Sequence, residues 1–114
     1  DKDLVHIVSH VCAPSPSVLL DPHYCLSVIL PEHLRSKRSA IILKMQEMGI
    51  GTSVYYPQPV PRMAYYRDKY GYDASLYPGA EMISDGSIAL PVGPHLDESH
   101  MARIAETLIA ACNI

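Results

Sequence analysis

The sequence predicts a small α+β domain, a two-layer sandwich in which helices pack on one face of a small, mainly antiparallel sheet. Three observations predict this class. The 114 residues are 48% hydrophobic, which is enough to form a core and argues against disorder. Two stretches have helical periodicity, and of three short runs of strand-forming residues one precedes the first stretch and two lie between the stretches. A chain of this length with this order of elements favours one domain spanning residues 1–114.

The first segment of the chain, residues 1–23, is predicted to be irregular, although Val5 to Val11 is apolar enough for a strand. In a strand, His6, His10 and Cys12 would point to the same face and resemble part of a zinc site. No second ligand pair with zinc spacing follows them. The sequence therefore favours no metal site.

The first clear elements are a strand and a long helix. Tyr24 to Leu30 is rich in strand formers and is stopped by Pro31. Glu32 to Met48 has helical periodicity, and Gly49 is suited to cap its C-terminus because glycine tolerates the left-handed conformation. The residues expected on its buried stripe are Leu34, Ile41, Met45 and Met48.

The middle of the chain alternates short elements with a proline-rich loop. Ile50 to Tyr56 is a second strand candidate, and the prolines 57, 59 and 61 make the following loop stiff. One or two helical turns are expected within 62–72, and another short helix within 79–85.

The last part of the chain predicts a third strand and a second long helix. Ser87 to Leu90 is the strand, which Pro91 ends. Asp97 is placed to cap the N-terminus of the helix that follows. The residues expected on the buried face of that helix are Met101, Ile104, Ala105, Leu108 and Cys112.

Composition excludes several functional classes. A net charge of -3 with scattered basic residues does not favour a nucleic-acid partner. The odd number of cysteines, Cys12, Cys25 and Cys112, predicts a reducing compartment rather than a disulfide framework. No targeting segment or membrane-spanning run is recognisable, so we expect a cytoplasmic protein without a membrane partner. No hydrolase nucleophile motif or phosphate-binding glycine loop occurs.

Tyrosine is concentrated in one part of the chain. Six of the eight tyrosines lie between Tyr55 and Tyr72, together with Arg62, Arg67 and Lys69. Tyrosine combines an apolar ring with a polar tip, which suits interfaces and substrate pockets, and arginine can pair with phosphate or carboxylate. A partly buried loop that uses tyrosine for packing remains an equal alternative.

Four stretches resemble, in order and spacing, the C-terminal region of the DegT/DnrJ/EryC1/StrS aminotransferases. Arg38 is followed by Gly49-Ile50, as in the family's R…GI helix. GTSVYYPQPVP (51–61) is similar to the family's G-I-x-T-x-x-H-Y-x-x-P-L-H. YPGAEMISDGSIALPVGPHL (77–96) is similar to its P-x-A-E…L-S-L-P-L-x-P-x-L. The helix from Asp97 matches the family's closing helix, and the LPVGP turn and Arg38 are interpreted as structural.

The resemblance implies a parent enzyme that uses pyridoxal phosphate to move an amino group onto a keto-sugar linked to a nucleotide. It also implies the small C-terminal domain of fold-type I aminotransferases. In such enzymes the lysine that binds the cofactor lies upstream, in the large domain. Lys2, Lys37, Lys44 and Lys69 do not resemble its motif. We therefore expect that this chain alone neither binds the cofactor covalently nor catalyses transamination.

The resemblance further implies that residues 51–61 form a wall of the substrate cleft. The family's two histidines correspond to Tyr55 and Pro61, so a role that needs imidazole is not expected here. Tyr55 retains a hydrogen-bonding group, whereas Pro61 can only shape the loop. The predicted substrate-binding residues are Tyr55, Tyr56, Pro57, Arg62 and Tyr65.

Two alternatives to an aminotransferase domain remain open at this stage. One is a free-standing, non-catalytic module of the same fold that binds a sugar nucleotide or a partner chain. The other is an unrelated α+β binding domain. A domain without its large neighbour would leave an apolar face uncovered, so we expect either that neighbour or a homodimer as a partner.

Overall fold

The computed structural model describes residues 25–113, and its centre is a two-stranded antiparallel sheet. Strand β1 is Leu26–Ile29 and strand β2 is Ser87–Leu90. The first and third of the three predicted strands are thereby confirmed, and the third has its predicted bounds. The irregular segment predicted at 1–23, with its strand candidate and histidines, lies outside the described residues.

The two strands pair over their whole length. Leu26 pairs with Leu90, and Ile29 pairs with Ser87. The ladder continues beyond the strands, where the Leu30 N–H donates to the Gly86 carbonyl at 2.8 Å. β1 therefore ends where Pro31, which has no N–H, begins the first helix.

Helices fill most of the remaining described chain. Two short 3₁₀ turns, at Val60–Arg62 and Ala74–Leu76, connect them. None of these helices is both long and apolar enough to cross a bilayer. The α-helices are α1 (Glu32–Arg35), α2 (Arg38–Glu47), α3 (Ala64–Tyr70), α4 (Pro78–Gly86) and α5 (Glu98–Cys112).

The single helix predicted from Glu32 to Met48 is wrong in one respect, because it is interrupted at Ser36 and Lys37. The interruption separates two packing partners: α1 lies against α4, whereas α2 lies against α5. Leu34, Ile41 and Met45 are buried as predicted, but Met48 is 38% exposed. Met48 leaves the buried stripe because α2 has already ended at Glu47.

Gly49 ends α2 as predicted. Its φ of +83° is a left-handed conformation that glycine adopts without a Cβ clash. The Gly49 N–H donates to Gln46, and the Ile50 N–H donates to the Met45 carbonyl at 2.9 Å. This pair of hydrogen bonds is the Schellman arrangement, which satisfies two carbonyls at the helix end.

The strand predicted from Ile50 to Tyr56 is wrong, because only Ser53 forms a bridge to β2. Ser53 exchanges two hydrogen bonds with Ala89, at 2.8 and 3.1 Å. The Ile50 N–H is already used by the helix cap, so it cannot extend a ladder. The bridge lies on the edge of β2 opposite β1, and it fixes where the following loop leaves the sheet.

Sheet and helices share one core, which confirms the α+β class. Val28 and Ile88 face each other across the two strands. They belong to the same buried cluster as Ile41 and Met45 of α2 and Ile104 of α5. At about 1.5–3 kcal/mol for each large side chain removed from water, this cluster is the main favourable term in folding.

Helix α5 begins and packs largely as predicted. The Asp97 side chain accepts from the His100 N–H at 3.0 Å, and the His100 ring accepts from the Asp97 N–H. This reciprocal capping box confirms the predicted N-cap. Ala105, expected on the buried face, is exposed; Thr107 and Ala111 are buried instead. Their spacing from Ile104 places them over the core, whereas Ala105 lies about 100° around the helix.

Candidate substrate and contact surface

The tyrosine-rich part of the chain forms two consecutive surface features. The first is the proline-tyrosine loop, residues 51–62, which leaves the sheet at the Ser53 bridge. The second is the tyrosine arm, residues 63–77, which contains α3 and the 3₁₀ turn Ala74–Leu76. All five predicted substrate-binding residues lie in these two features.

Tyr55 and Tyr56 present their rings to solvent. They are 57% and 72% exposed, and Pro57 beside them is also exposed. Neither tyrosine makes a hydrogen bond or a ring contact with the described residues. The phenol groups are therefore available to a ligand or to a neighbouring surface.

The second half of the loop is anchored in the domain. Pro59 and Pro61 are buried. The Arg62 N–H donates to the Pro59 carbonyl at 2.9 Å, which closes the 3₁₀ turn. Pro61 stands where the family motif has a histidine. It lies within this turn and restricts the backbone of the loop.

Arg62 joins this turn to α4 through two carboxylates. Its guanidinium donates to both oxygens of Asp85, at 2.7 and 3.0 Å, and to Glu81 at 3.1 Å. The three side chains are about one-third exposed. A planar guanidinium matches this forked geometry, which a lysine cannot reproduce. We refer to Arg62, Glu81 and Asp85 as the arginine clamp.

In the clamp, the pKa values of Asp85 and Arg62 both shift in the direction that favours the charged form. The hydrogen bond from Arg62 lowers the pKa of Asp85 below its ordinary value of 3.8. The hydrogen bonds from Asp85 and Glu81 raise the pKa of Arg62 further above its ordinary range. Arg62 already has two carboxylate partners, so a substrate phosphate or carboxylate would have to share the guanidinium with them.

Sequence reasoning missed the two acidic members of the clamp. Glu81 and Asp85 are separated by four residues, which places two carboxylates on one face of α4. The sequence spacing could have predicted that the two carboxylates lie side by side. It could not have predicted which cation faces them, because Arg62 comes from a loop about twenty residues earlier in the chain.

Tyr65 lies in a ladder of five tyrosines that runs along the arm. Consecutive ring centroids are 5.1 to 6.4 Å apart, in edge-to-face, stacked and tilted arrangements. The rings are 37% to 65% exposed. Rings that pack on one another and stay partly exposed fit both the predicted substrate or interface role and the alternative of a partly buried packing loop. The ladder consists of Tyr65, Tyr66, Tyr70, Tyr72 and Tyr77.

Lys69 places a positive charge on this ladder. Its ammonium lies 5.5 Å from the Tyr65 ring centroid and 5.3 Å from that of Tyr70. It also lies 3.3 Å from the Tyr65 hydroxyl. Such cation–π contacts hold the lysine over the rings, worth about 0.5–1 kcal/mol at an exposed site.

The structure groups the predicted site residues in two sets. Arg62 joins the acidic pair of α4, and Tyr65 joins the ladder and Lys69. Tyr55 and Tyr56 remain separate from both sets in terms of hydrogen bonds and ring contacts. The arrangement is an anchored loop with exposed aromatic rings and hydroxyls. Such groups are suited to bind and orient a ligand.

The described residues do not fit a covalent site for pyridoxal phosphate. Such a site needs a lysine enclosed with an acid partner for the ring nitrogen. Lys37, Lys44 and Lys69 are all exposed, and Lys44 lies 3.7 Å from Glu47 on the surface of α2. Within residues 25–113 no group of three His, Cys, Asp or Glu side chains is arranged to hold a metal ion.

Arg38 has the structural role that the sequence predicts. Its guanidinium donates to the carbonyls of Ser84 and Ser87, at the end of α4 and the start of β2. Arg35 similarly donates to the Leu30 carbonyl at 3.3 Å. The helices before the loop are thereby connected to the element that carries the acidic pair of the clamp.

The sequence matches the model of the DegT/DnrJ/EryC1/StrS aminotransferase family over residues 4–109. The chain belongs to this family. The family resemblance predicted from the four motifs is therefore confirmed, and the match extends over most of the chain. DegT/DnrJ/EryC1/StrS aminotransferases use pyridoxal phosphate, and one solved structure described below is a PMP form.

Two solved structures share the fold. PseC of Helicobacter pylori, an aminotransferase involved in the biosynthesis of pseudoaminic acid, superposes with a TM-score of 0.67 at 17% identity. Spr1654 of Streptococcus pneumoniae, described as a sugar aminotransferase in its PMP form, superposes with a TM-score of 0.66 at 25% identity. Each alignment covers 78% of this chain, but only 23% and 22% of the respective aminotransferase.

A relative found by sequence is likewise matched over only about a fifth of its length. The uncharacterized protein MJ1066 of Methanocaldococcus jannaschii is 26% identical over 77 residues, which are 68% of this chain and 20% of that protein. The chain therefore spans about a fifth of the length of the relatives that it matches.

Proposed function

We propose that this chain is the C-terminal part of a pyridoxal-phosphate-dependent aminotransferase that acts on a nucleotide-linked keto-sugar. In this proposal it forms one wall of the substrate cleft. The observation that supports the proposal is the proline-tyrosine loop of this chain, which belongs to the family. Arg62 anchors one end of the loop, and Tyr55 and Tyr56 are exposed to solvent.

Each predicted site residue has a distinct role in the proposal. Tyr55 and Tyr56 contact the sugar nucleotide through their rings and hydroxyls, and Pro57 restricts the backbone at the bend between them and the anchored turn. Tyr65 contributes another ring at the start of the arm. Arg62 acts mainly by holding the loop against α4, because its fork is directed at Asp85 and Glu81.

The proposal assigns the cofactor chemistry to a segment outside these residues. Pyridoxal phosphate supplies an electron sink when bound, and a lysine upstream of the described residues would hold it. The present chain contributes binding and orientation of the substrate and excludes water from one side. The proposal also includes a cytoplasmic location and a homodimer, since cysteine use and the exposed apolar surface favour both.

A nucleotide-sugar titration tests the proposed cleft wall. The chain labelled with ¹⁵N is titrated with uridine diphosphate N-acetylglucosamine, and amide shifts are followed by NMR. We expect saturable shifts at residues 53–56. The Tyr55→Ala/Tyr56→Ala variant should lose at least tenfold in affinity, or about 1.4 kcal/mol.

The matched control is Ile109→Ala, which removes a 47% exposed apolar side chain from another element, α5. It should bind the probe as the unaltered chain does. Unchanged affinity after both tyrosines are removed would contradict the proposal and favour an unrelated binding domain.

A further inference from the structure

The proline-tyrosine loop carries no charged side chain before Arg62. Residues 51–61 have the sequence GTSVYYPQPVP and contain no Asp, Glu, Lys, Arg or His. Their polar side chains are hydroxyls and the amide of Gln58, which are neutral donors and acceptors of hydrogen bonds. This part of the loop therefore offers a ligand aromatic rings and hydrogen bonds, but no positive charge for a phosphate.

Arg62, at the end of the loop, does not supply that charge freely. Its two terminal nitrogens donate to Asp85 and Glu81, at 2.7 to 3.1 Å. One guanidinium and two carboxylates leave the arginine clamp with a net negative charge. A diphosphate placed beside the clamp would meet this excess of negative charge and be repelled.

The arginines nearest to the clamp are also directed at the protein. Arg35 and Arg38 both act on Asp85 through their charges. Arg38 donates to the carbonyls of Ser84 and Ser87, and Arg35 donates to the Leu30 carbonyl. The positive charges around the anchored end of the loop therefore serve backbone acceptors of the domain.

The exposed groups of the loop match an uncharged sugar ring. Tyr55 and Tyr56 are 57% and 72% exposed, and Gln58 is exposed as well. The three residues span at most about 11 Å between their outer Cα atoms, so their side chains can reach one ligand. A sugar ring has C–H groups that pack on aromatic rings and hydroxyls that pair with phenol and amide groups.

We infer that the proline-tyrosine loop binds the sugar ring of the nucleotide sugar, and that the diphosphate is bound outside the loop and the clamp. This inference rests on the proposed function and names the part of the substrate that this wall takes. Tyr55 and Tyr56 pack on the sugar ring. Gln58 is a further specificity-determining residue, whose amide pairs with a sugar hydroxyl.

Three probes separate the sugar from the diphosphate: uridine diphosphate N-acetylglucosamine, uridine diphosphate, and the methyl β-glycoside of N-acetylglucosamine. Each is titrated into the ¹⁵N-labelled chain and followed by NMR. The nucleotide sugar and the methyl glycoside should both shift the backbone amides of residues 53–56 and the side-chain amide of Gln58, with affinities within about fivefold of each other. Uridine diphosphate alone should not shift these amides.

The dependence on salt gives an independent measurement with the same probes. Raising the sodium chloride concentration from about 50 mM to about 500 mM should change the affinity for the nucleotide sugar less than twofold, because salt screens contacts between charges and leaves neutral contacts intact. A loss of more than about fivefold would assign a phosphate contact to this surface and overturn the inference.

Gln58→Ala tests the specificity-determining residue. It should weaken binding of the methyl glycoside by about threefold or more, the effect of one neutral hydrogen bond. The matched control is Gln46→Ala, which removes an exposed amide from α2 and should bind as the unaltered chain does. Equal affinities of the two variants would contradict the role of Gln58.

The probes also distinguish this inference from the proposed function. Saturable shifts at residues 53–56 with uridine diphosphate alone overturn the inference and leave the cleft wall in place. Binding of the nucleotide sugar without binding of the methyl glycoside has the same meaning. If none of the three probes shifts these residues, the proposed function fails together with the inference.

Discussion

Arg62 is the residue whose environment most changes the interpretation of the sequence. As a cation among tyrosines it predicts a ligand for substrate phosphate or carboxylate. In the structure its fork is bound by Asp85 and Glu81, and the loop is thereby held against α4. In the proposed function, its contribution to substrate binding is indirect, through the position of Tyr55 and Tyr56.

Arg62→Lys should lower the free energy of unfolding by about 1 kcal/mol near neutral pH, since the clamp is partly exposed and solvent screens it. A lysine provides one point charge and cannot bridge both carboxylates. Urea unfolding followed by circular dichroism measures the loss. Arg67→Lys is the control, because the Arg67 side chain is more exposed and pairs with its sequence neighbour Asp68 at 3.4 Å.

The effect of Arg62→Lys should depend on pH in a defined direction. The folded-state pKa of Asp85 is lowered, so its stabilising contribution is complete above the ordinary value of 3.8 and is lost as pH falls through the lowered value. Arg62 stays charged throughout this range. The difference between the two proteins should therefore shrink in acid; a difference that does not change with pH would contradict a clamp made by Asp85.

At the scale of single residues, sequence reasoning located the tyrosines and the N-cap but not the clamp. Asp97 could be predicted because capping depends on neighbours in sequence. The exposure of the tyrosine rings could not be predicted, because ring burial depends on what packs above each ring. The partners of Arg62 are about twenty residues away, and helical spacing alone does not identify them.

Elements bounded by local signals agree with prediction, and those set by tertiary contacts do not. β2 is stopped by Pro91, and its predicted bounds are correct. The segment at 50–56 has strand-forming residues, yet the cap of α2 takes the Ile50 N–H and only Ser53 reaches the sheet. The break at Ser36 and Lys37 likewise reflects two different packing partners, which periodicity along one helix does not reveal.

The junction of α4 and β2 leaves little room for a side chain at residue 86. A Cβ on Gly86 would lie 3.1 Å from both the Leu30 carbonyl oxygen and Ile29 Cγ2. Gly86→Ala should therefore destabilise the domain by about 1–3 kcal/mol, because the β1–β2 ladder has to shift. Thermal unfolding followed by circular dichroism measures the change.

Gly79→Ala, in the same helix, is the matched control. A Cβ there meets no atom within 4 Å, and Gly79 does not have a positive φ. Alanine should be neutral or stabilising by up to about 1 kcal/mol, from its higher helix propensity. If the two variants unfold at the same temperature, close packing at Gly86 is not what fixes this junction.

At the scale of the whole molecule, a small core supports a large exposed aromatic surface. The core combines two short strands with α2 and α5, whereas the loop and the arm extend the tyrosines into solvent. Isolated apolar residues at a surface are ordinary, but a contiguous ordered patch indicates an interaction site. The fold class and the family could be predicted from sequence, since motif order and residue pattern carry them.

The central claim is that this chain completes an aminotransferase whose cofactor lysine lies upstream. Sequencing the genomic DNA upstream of the Asp1 codon tests this claim most directly. We predict an open reading frame that continues for about 250 residues, the size of one large domain, and that encodes the lysine for pyridoxal phosphate. A start codon directly before Asp1, preceded by an in-frame stop, would contradict it.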